Sequence, residues 1–391
     1  MTARAMTDEP MRFGIFLPPM HVAGLNPHLA IKRDLELMRV LDDLGYDEAW
    51  IGEHHSGGSE LIASPEVFIG VAAERTRRIK LGTGVSSLPY HHPFMLADRM
   101  VLLDHLTEGR AMFGVGPGQL TSDASMFGID PATQRPRMEE ALDVIIRLFR
   151  GETVTEKTDW YTCQDAVLQL TPYSDFDIAV ASTISPSGSK LAGRYGLGLL
   201  SIAATNPEGG EMLGGHWQVM TEQAAKYGTT VDRRKWRMMG PMHIAESVEQ
   251  AKANCRYGLR WVFDYLSHVV PTSGPPPEDY DAFVDGINTS RSGVIGTPDM
   301  AIELIEGLIE KSGGFGTYLM MGADFADWRA TVRHYELFTE HVMPHFNGQL
   351  RPVMDSYGLV MNAGDRYVTA TINAQMASIE RYAHERAQPR S

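Results

Sequence analysis

Four short segments carry side chains capable of chemistry, and each follows an apolar run. GEHHSGGS (52–59) holds two adjacent histidines beside Glu53, a pattern suited to general acid–base work because imidazole titrates near neutrality and a carboxylate tunes it. The same residues also read as a surface pair, or as a Glu–His pair that only holds the loop. As metal ligands they would need a third donor, and no metal site is expected. LGTGVSSLPYHHPF (81–94) contains GTG, whose two glycines let backbone approach a flat ligand closely; His91 and His92 read as loop or packing residues. GVGPGQL (114–120) leads into FGIDPATQRPRMEEAL (127–142), where Arg135 and Arg137 stand at a helix entry. A guanidinium there clamps a phosphate through two parallel bonds, whereas the bland alternative is a surface pair balancing Glu139 and Glu140. ASTISPSGSKLAGRYGLG (181–198) gathers Ser185, Ser187, Gly188 and Ser189 where a helix begins, so free N–H groups and hydroxyls together make an anion cradle. There is no GxGxxG after the first strand and no Walker lysine, which argues against a Rossmann dinucleotide site and an NTPase.

The elements that must position these groups follow one rhythm. Strand-like runs start near 11, 48, 79, 110, 177, 197, 237 and 317, with helical spacing between most pairs, as in Leu35, Met38, Leu41 and Leu44. Eight alternating units predict an α/β fold, a (β/α)8 TIM barrel, over an open doubly wound sheet. RMMGPMHI (237–244) reads as one strand. Insertions are expected near 151–173, as a hairpin-like excursion, and near 269–293, as a long loop or lid rich in proline and glycine. The segment 325–346 reads as a helix ended by Pro344. Residues 1–346 form the barrel. The C-terminal extension, 347–391, keeps helical spacing at Val368, Ile372, Met376, Ile379 and Tyr382 and is expected to pack on the barrel or on a second subunit.

Composition narrows the function classes. The formal charge of −14 over 391 residues argues against nucleic acid or an anionic membrane as partner. Two cysteines without CxxC spacing argue against a disulfide scaffold. With no 18-residue apolar run and no signal core at the N-terminus, a cytoplasmic protein is expected.

Taken in order, the EHH after strand 2, GTGxxxLPxxHP after strand 3, RxxFGVG…FGIDxxxxR through strand 4, and SPSGSKLAGRYGLG after strand 5 resemble the bacterial luciferase-like flavin monooxygenases over about residues 11–346. IGTPDMAIELIEGL (295–308) and ELFTEHVMPHF (336–346) are similar to that family's C-terminal signature. The resemblance implies reduced FMN and O2 as reactants. It places His54 beside the flavin, where it would stabilise or protonate the reacting oxygen atoms. It also implies a non-prolyl cis peptide at Gly84–Val85 under the ring, next to Ser86, and phosphate contacts from Arg135 and Ser185. Gly188 stands where the family has a phosphate-binding threonine, with Ser187 or Ser189 as replacements. Pro117 stands where luciferase has a second phosphate arginine. The deazaflavin (F420) members share the barrel and parts of these motifs, and a flavin-binding protein without turnover would share them too. Within the family, FLPPMH (16–21) and the C-terminal extension look most similar to the limonene monooxygenase-type branch, which implies a small apolar substrate such as a ring alkene. A separate NADH-dependent flavin reductase and a homodimer are further implications of the family.

Overall fold

The computed structural model describes residues 10–270 and 274–387. The N-terminal stretch read for targeting signals, 1–9, and residues 271–273 of the second insertion lie outside the described residues. Eight parallel strands close into a barrel: β1 (Arg12–Leu17), β2 (Glu48–Ile51), β3 (Lys80–Ser87), β4 (Ala111–Gly116), β5 (Ile178–Ser182), β6 (Gly198–Ser201), β7 (Trp236–Gly240) and β8 (Thr317–Met321). Each pairs with its sequence neighbours, and β1 closes on β8 with Phe16 opposite Met321. All eight strands coincide with the apolar runs read from sequence. Buried on both faces, they need no polar alternation, which is why they appear as short continuous apolar segments.

Helices follow from capping chemistry. Asn26 caps Pro27–Leu44 by accepting from the N–H groups of His28 and Leu29, and Gly45 ends it in the left-handed region. Pro65, Pro93, Pro131, Pro207 and Pro298 each open a helix, where the missing N–H costs nothing.

Three readings need correction. The run 237–244 is two strands, because Pro241 lacks an N–H for the ladder. β7 stops at Gly240, and Met242–Ile244 pairs instead with Val294–Gly296, whose Val294 N–H donates to the Pro241 carbonyl. The segment 269–293 contains a helix, Tyr280–Ser290, capped by Asp279 through the Ala282 N–H. Pro344 does not end the last barrel helix. Trp328–Leu337 widens into a π-turn over Phe338–Val342, and Pro344 lies in the following turn, Met343–Asn347. The widened turn surrounds residue 340, whose carbonyl a regular helix would press against the proline ring. The first insertion is an antiparallel hairpin, Val154–Lys157 with Thr162–Ala166.

The N-terminal end of the barrel is plugged by a buried charge network. Arg237, fully buried on β7, donates to Glu48 (2.8 Å) and Asp177 (2.9 Å), and its guanidinium lies 5.0 Å from the Trp50 ring centroid. Trp50 Nε1 and Thr317 Oγ1 also donate to Glu48. Burial opposes ionisation of Glu48, but the Arg237 charge outweighs it and holds the carboxyl below its usual range. The same guanidinium holds Asp177 down to about 2.

A second buried pair is uncharged. His243 and His334 have ring centroids 5.2 Å apart; Asn254 donates to His243 Nε2, and the Ile244 N–H donates to His334 Nδ1. Burial lowers His243 from 6.5 to about 4, and burial with the neighbouring ring lowers His334. Unfolded histidine binds a proton that the native ring refuses. The pair's contribution is therefore intact above 6.5 and is lost as pH falls toward about 4. For His243 alone the loss by pH 5 is about 2 kcal/mol. His243→Phe is expected to flatten the plot of urea midpoint against pH between 6.5 and 5 by about one proton. A slope equal to wild type would show that the ring is not neutral in the native state.

A second compact unit starts at Pro344 and, among the described residues, contains helices Leu350–Met361 and Arg366–Ala387. The helical spacing read from sequence lies within the latter, and Val368, Ile372, Met376, Ile379 and Tyr382 are exposed. Among the described residues no helix is long and apolar enough to cross a membrane.

Candidate active site

The chemistry-bearing segments converge on the C-terminal ends of the barrel strands, where a barrel's connecting loops build sites. Between the ends of β3, β4, β5 and β6 lies a cavity of about 280 Å³. Five predicted residues, Val85, Arg135, Ser185, Ser187 and Gly188, line it, together with Ser182, Gln134 and Ile202.

One wall forms where β3 breaks its register. The β3–β4 ladder shifts between Thr83 and Ser86, and the Gly84–Val85 peptide inside that interval is cis. The Thr83 hydroxyl replaces the interrupted bonds, donating to the Gly114 carbonyl and accepting from its N–H. Glycine is required at 84, because a Cβ would meet Trp50 Cβ at 2.8 Å. The kink turns Val85 to the cavity. Ser86 is buried, its hydroxyl has no hydrogen-bond partner, and it is not a lining residue.

The opposite end is polar. Helix Ser187–Tyr195 begins at the cavity without a side-chain cap, so the N–H groups of its first turn have no side-chain acceptor. Ser185 and Ser187 hydroxyls are 2.8 Å apart. The Ser182 hydroxyl, at the end of β5, is buried and unpartnered. Ser189 is fully buried in the first helical turn, also with an unpartnered hydroxyl. Among the described residues, Arg135 has no hydrogen-bond or ion-pair partner. A Cβ at Gly188 would collide with the Ala181 carbonyl and stand 3.0 Å from Ser182 Cβ, so no threonine fits there without a shift. A cationic group, an uncapped helix start and an orphaned buried hydroxyl facing one cavity make a site that an anion would complete. Gly188→Ala is expected to abolish anion binding at this turn, read as loss of the stabilisation that added inorganic phosphate confers. Stabilisation equal to wild type would remove position 188 from the cradle.

His54 stands at the rim and is not a lining residue of this cavity. Its partners are not the adjacent Glu53. His54 Nε2 pairs with Glu60 at 2.8 Å, and Nδ1 faces Asp123 at 3.4 Å. Burial disfavours the charged ring, but hydrogen bonds from both nitrogens to Asp123 and Glu60 outweigh it and raise His54 from 6.5 to about 9. It is therefore an imidazolium at neutral pH. Asp123 also accepts from the His55 N–H and the Ser56 hydroxyl, and its helix Thr121–Met126 starts at the cavity wall with Thr121. Glu53 instead accepts from His55 (3.0 Å), His91 (2.7 Å) and the Ser87 N–H (2.8 Å), fastening the β2 loop to the end of β3. His92 donates toward the Thr162 carbonyl, and Arg137 lies over Trp160. The sequence reading missed Glu60, Asp123 and Ser182. Only Ser182 carried a signal, as a hydroxyl closing a strand directed at the rim.

Beside the cavity, Val85 and Ile202 pack against a buried apolar cluster that includes Phe16, Met20, Met239, Met321 and Phe325. Met20 and Met321, near strand ends, are core residues.

This barrel, with its rim histidine and anion-ready turn, is that of a luciferase-like monooxygenase. The sequence matches that family over residues 11–314, and the chain belongs to it as a flavin-dependent monooxygenase. Among individual relatives, it is 53% identical to limonene 1,2-monooxygenase of Rhodococcus erythropolis over 384 residues, covering 98% of this chain and 99% of that one. It is 47% identical to 4-hydroxyprotoasukamycin monooxygenase of Streptomyces nodosus subsp. asukaensis, covering 90% and 96%. The solved oxygenating constituent of 3,6-diketocamphane monooxygenase from Pseudomonas putida, in complex with FMN, superposes with a TM-score of 0.72 at 24% identity, over 86% of this chain and 98% of that one; this likeness concerns the fold.

Proposed function

We propose that the chain binds reduced FMN, delivered by a separate flavin reductase, and transfers one oxygen atom of O2 to a small apolar ring alkene of the limonene type. The observation that carries the cofactor reading is the polar end of the cavity. Arg135, Ser182, Ser185, Ser187 and the start of helix Ser187–Tyr195 would hold the phosphate, with Val85 on the wall available to the ring. When bound, reduced FMN supplies the two electrons that split O2, so that alkene, O2 and reduced FMN yield epoxide, water and oxidised FMN.

The protein's part is positional and electrostatic. His54 carries a proton on each ring nitrogen. The one on Nε2 is committed to Glu60, whereas the 3.4 Å separation from Asp123 leaves the Nδ1 proton the more weakly held. The imidazolium can stabilise negative charge developing on oxygen and give up a proton, which Glu60 and Asp123 then help restore. Val85, Ile202 and the cluster behind them offer an apolar surface without a charge reader, which excludes water and suits a hydrocarbon. The exposed apolar side chains Ile372, Met376 and Ile379 support a homodimer, which light scattering of the purified protein tests.

Titration with reduced FMN, reduced F420 and reduced riboflavin tests the cofactor reading. Reduced FMN is expected to bind tightest, and Arg135→Ala to weaken it about 10- to 100-fold without altering riboflavin affinity. Preferential binding of F420, or equal binding of FMN and riboflavin, would contradict it.

A further inference from the structure

Helix Leu259–Val269, in the long connection between β7 and β8, brings an aromatic group to His54 from an element that no motif reading connected with it. The Tyr265 ring stacks on Trp261, with centroids 5.9 Å apart and planes within 10°, and packs on the apolar cluster that Val85 and Ile202 also join. Its hydroxyl donates to Glu60 Oε1 at 3.2 Å, and the other oxygen of that carboxylate, Oε2, holds His54 Nε2 at 2.8 Å. The loop is shaped for this contact. Gly57, at a φ of +83°, lies so close that a Cβ there would collide with the Tyr265 hydroxyl. Burial and the Glu60 carboxylate push the Tyr265 phenol well above its ordinary value, so it remains a donor. Glu60 is itself anchored, since Met20 and Glu60 form an isolated antiparallel bridge and the Leu61 N–H donates to the Pro19 carbonyl.

We propose that Tyr265 is a positioning residue for His54: its hydroxyl fixes the Glu60 carboxylate, so that docking of helix Leu259–Val269 orients the imidazolium on its Nε2 side while Asp123 holds it on the other. The same side chain presents its ring to the apolar wall, so the state of that wall and the orientation of the proton donor are coupled through one residue. The role in turnover rests on the reading of His54 as the acid of the flavin site, whereas the Tyr265–Glu60–His54 linkage itself does not.

The test is Tyr265→Phe, which keeps the ring and removes only the hydroxyl. In the ligand-free protein, NMR of 15N-labelled histidine is expected to show the hydrogen-bonded Nε2 proton of His54 shifted upfield and broadened relative to wild type, with an unchanged melting temperature. In turnover with reduced FMN, O2 and limonene, kcat is expected to fall about tenfold with the limonene KM unchanged. Adding the substitution to Glu60→Gln should cost little more, because both break the same linkage. An unmoved His54 signal, a rise in KM without loss of kcat, or effects additive with Glu60→Gln would each overturn the proposal. If wild type itself shows no turnover while the NMR shift appears, the flavin reading fails and the linkage stands.

Discussion

Replacing His54 with alanine is expected to slow product formation about 10²- to 10⁴-fold while reduced FMN still binds within a few-fold of wild type. The separation follows from geometry. His54 is not a lining residue of the cavity that would hold the phosphate, so its loss spares the polar end of the site. The two neighbouring histidines are already engaged. His55 is committed to Glu53, and His91 is shared between Glu53 and Arg99. The substitution also leaves Glu60 and Asp123 without the cation between them, which makes the rim hostile to negative charge developing on oxygen. His54→Gln should be nearly as impaired, since an amide can donate a hydrogen bond but carries no transferable proton. Rapid-mixing kinetics with product quantified by gas chromatography checks this. Wild-type yield from the alanine variant, with normal FMN binding, would remove His54 from the chemistry.

Arg237→Met should be the most destabilising of the substitutions considered, by about 3–5 kcal/mol. Methionine fills much of the same volume, so little of the loss is cavity formation. What is lost is the cation neutralising Glu48 and Asp177 inside the closed end of the barrel, which leaves Glu48 buried against Trp50 and Thr317, with the half-buried Arg12 at 3.4 Å as its remaining ion-pair partner among the described residues. Exchanging both partners, Arg237→Met with Glu48→Leu, should recover a large part of the stability, because desolvation of both charges is then removed along with their attraction. Urea unfolding of the single and double variants measures this. A single variant within 1 kcal/mol of wild type, or a double variant worse than the single, would contradict it.

Much of the fold was legible because it is written locally. The eight strands are short apolar runs between proline-opened and glycine-closed helices, and those signals need only a few adjacent residues. The errors have equally local causes. Pro241 splits an apolar run that periodicity alone joins. The helix Tyr280–Ser290 was hidden by the proline-rich stretch before it, although Asp279 and the spacing of Phe283, Val284 and Ile287 encode it. The π-turn before Pro344 is a tertiary accommodation that helical spacing does not report.

The site divides differently. Backbone-dominated parts, the GTG kink and the serine turn, were visible as composition at strand ends. The parts that depend on through-space pairing were not. Glu53 is adjacent to His54 in sequence yet serves His55 and His91, whereas Asp123, far along the chain, and Glu60 govern His54. Arg237 and Glu48 illustrate a signal that was present and unread: a lone charge in each of two apolar strands requires a buried partner.

Turnover under 18O2 with photoreduced FMN and limonene, followed by mass spectrometry of the product and the water, interrogates the mechanism most directly. One labelled atom in the product and the other in water is the expected result. An unlabelled product, or product formed without oxygen, would contradict it.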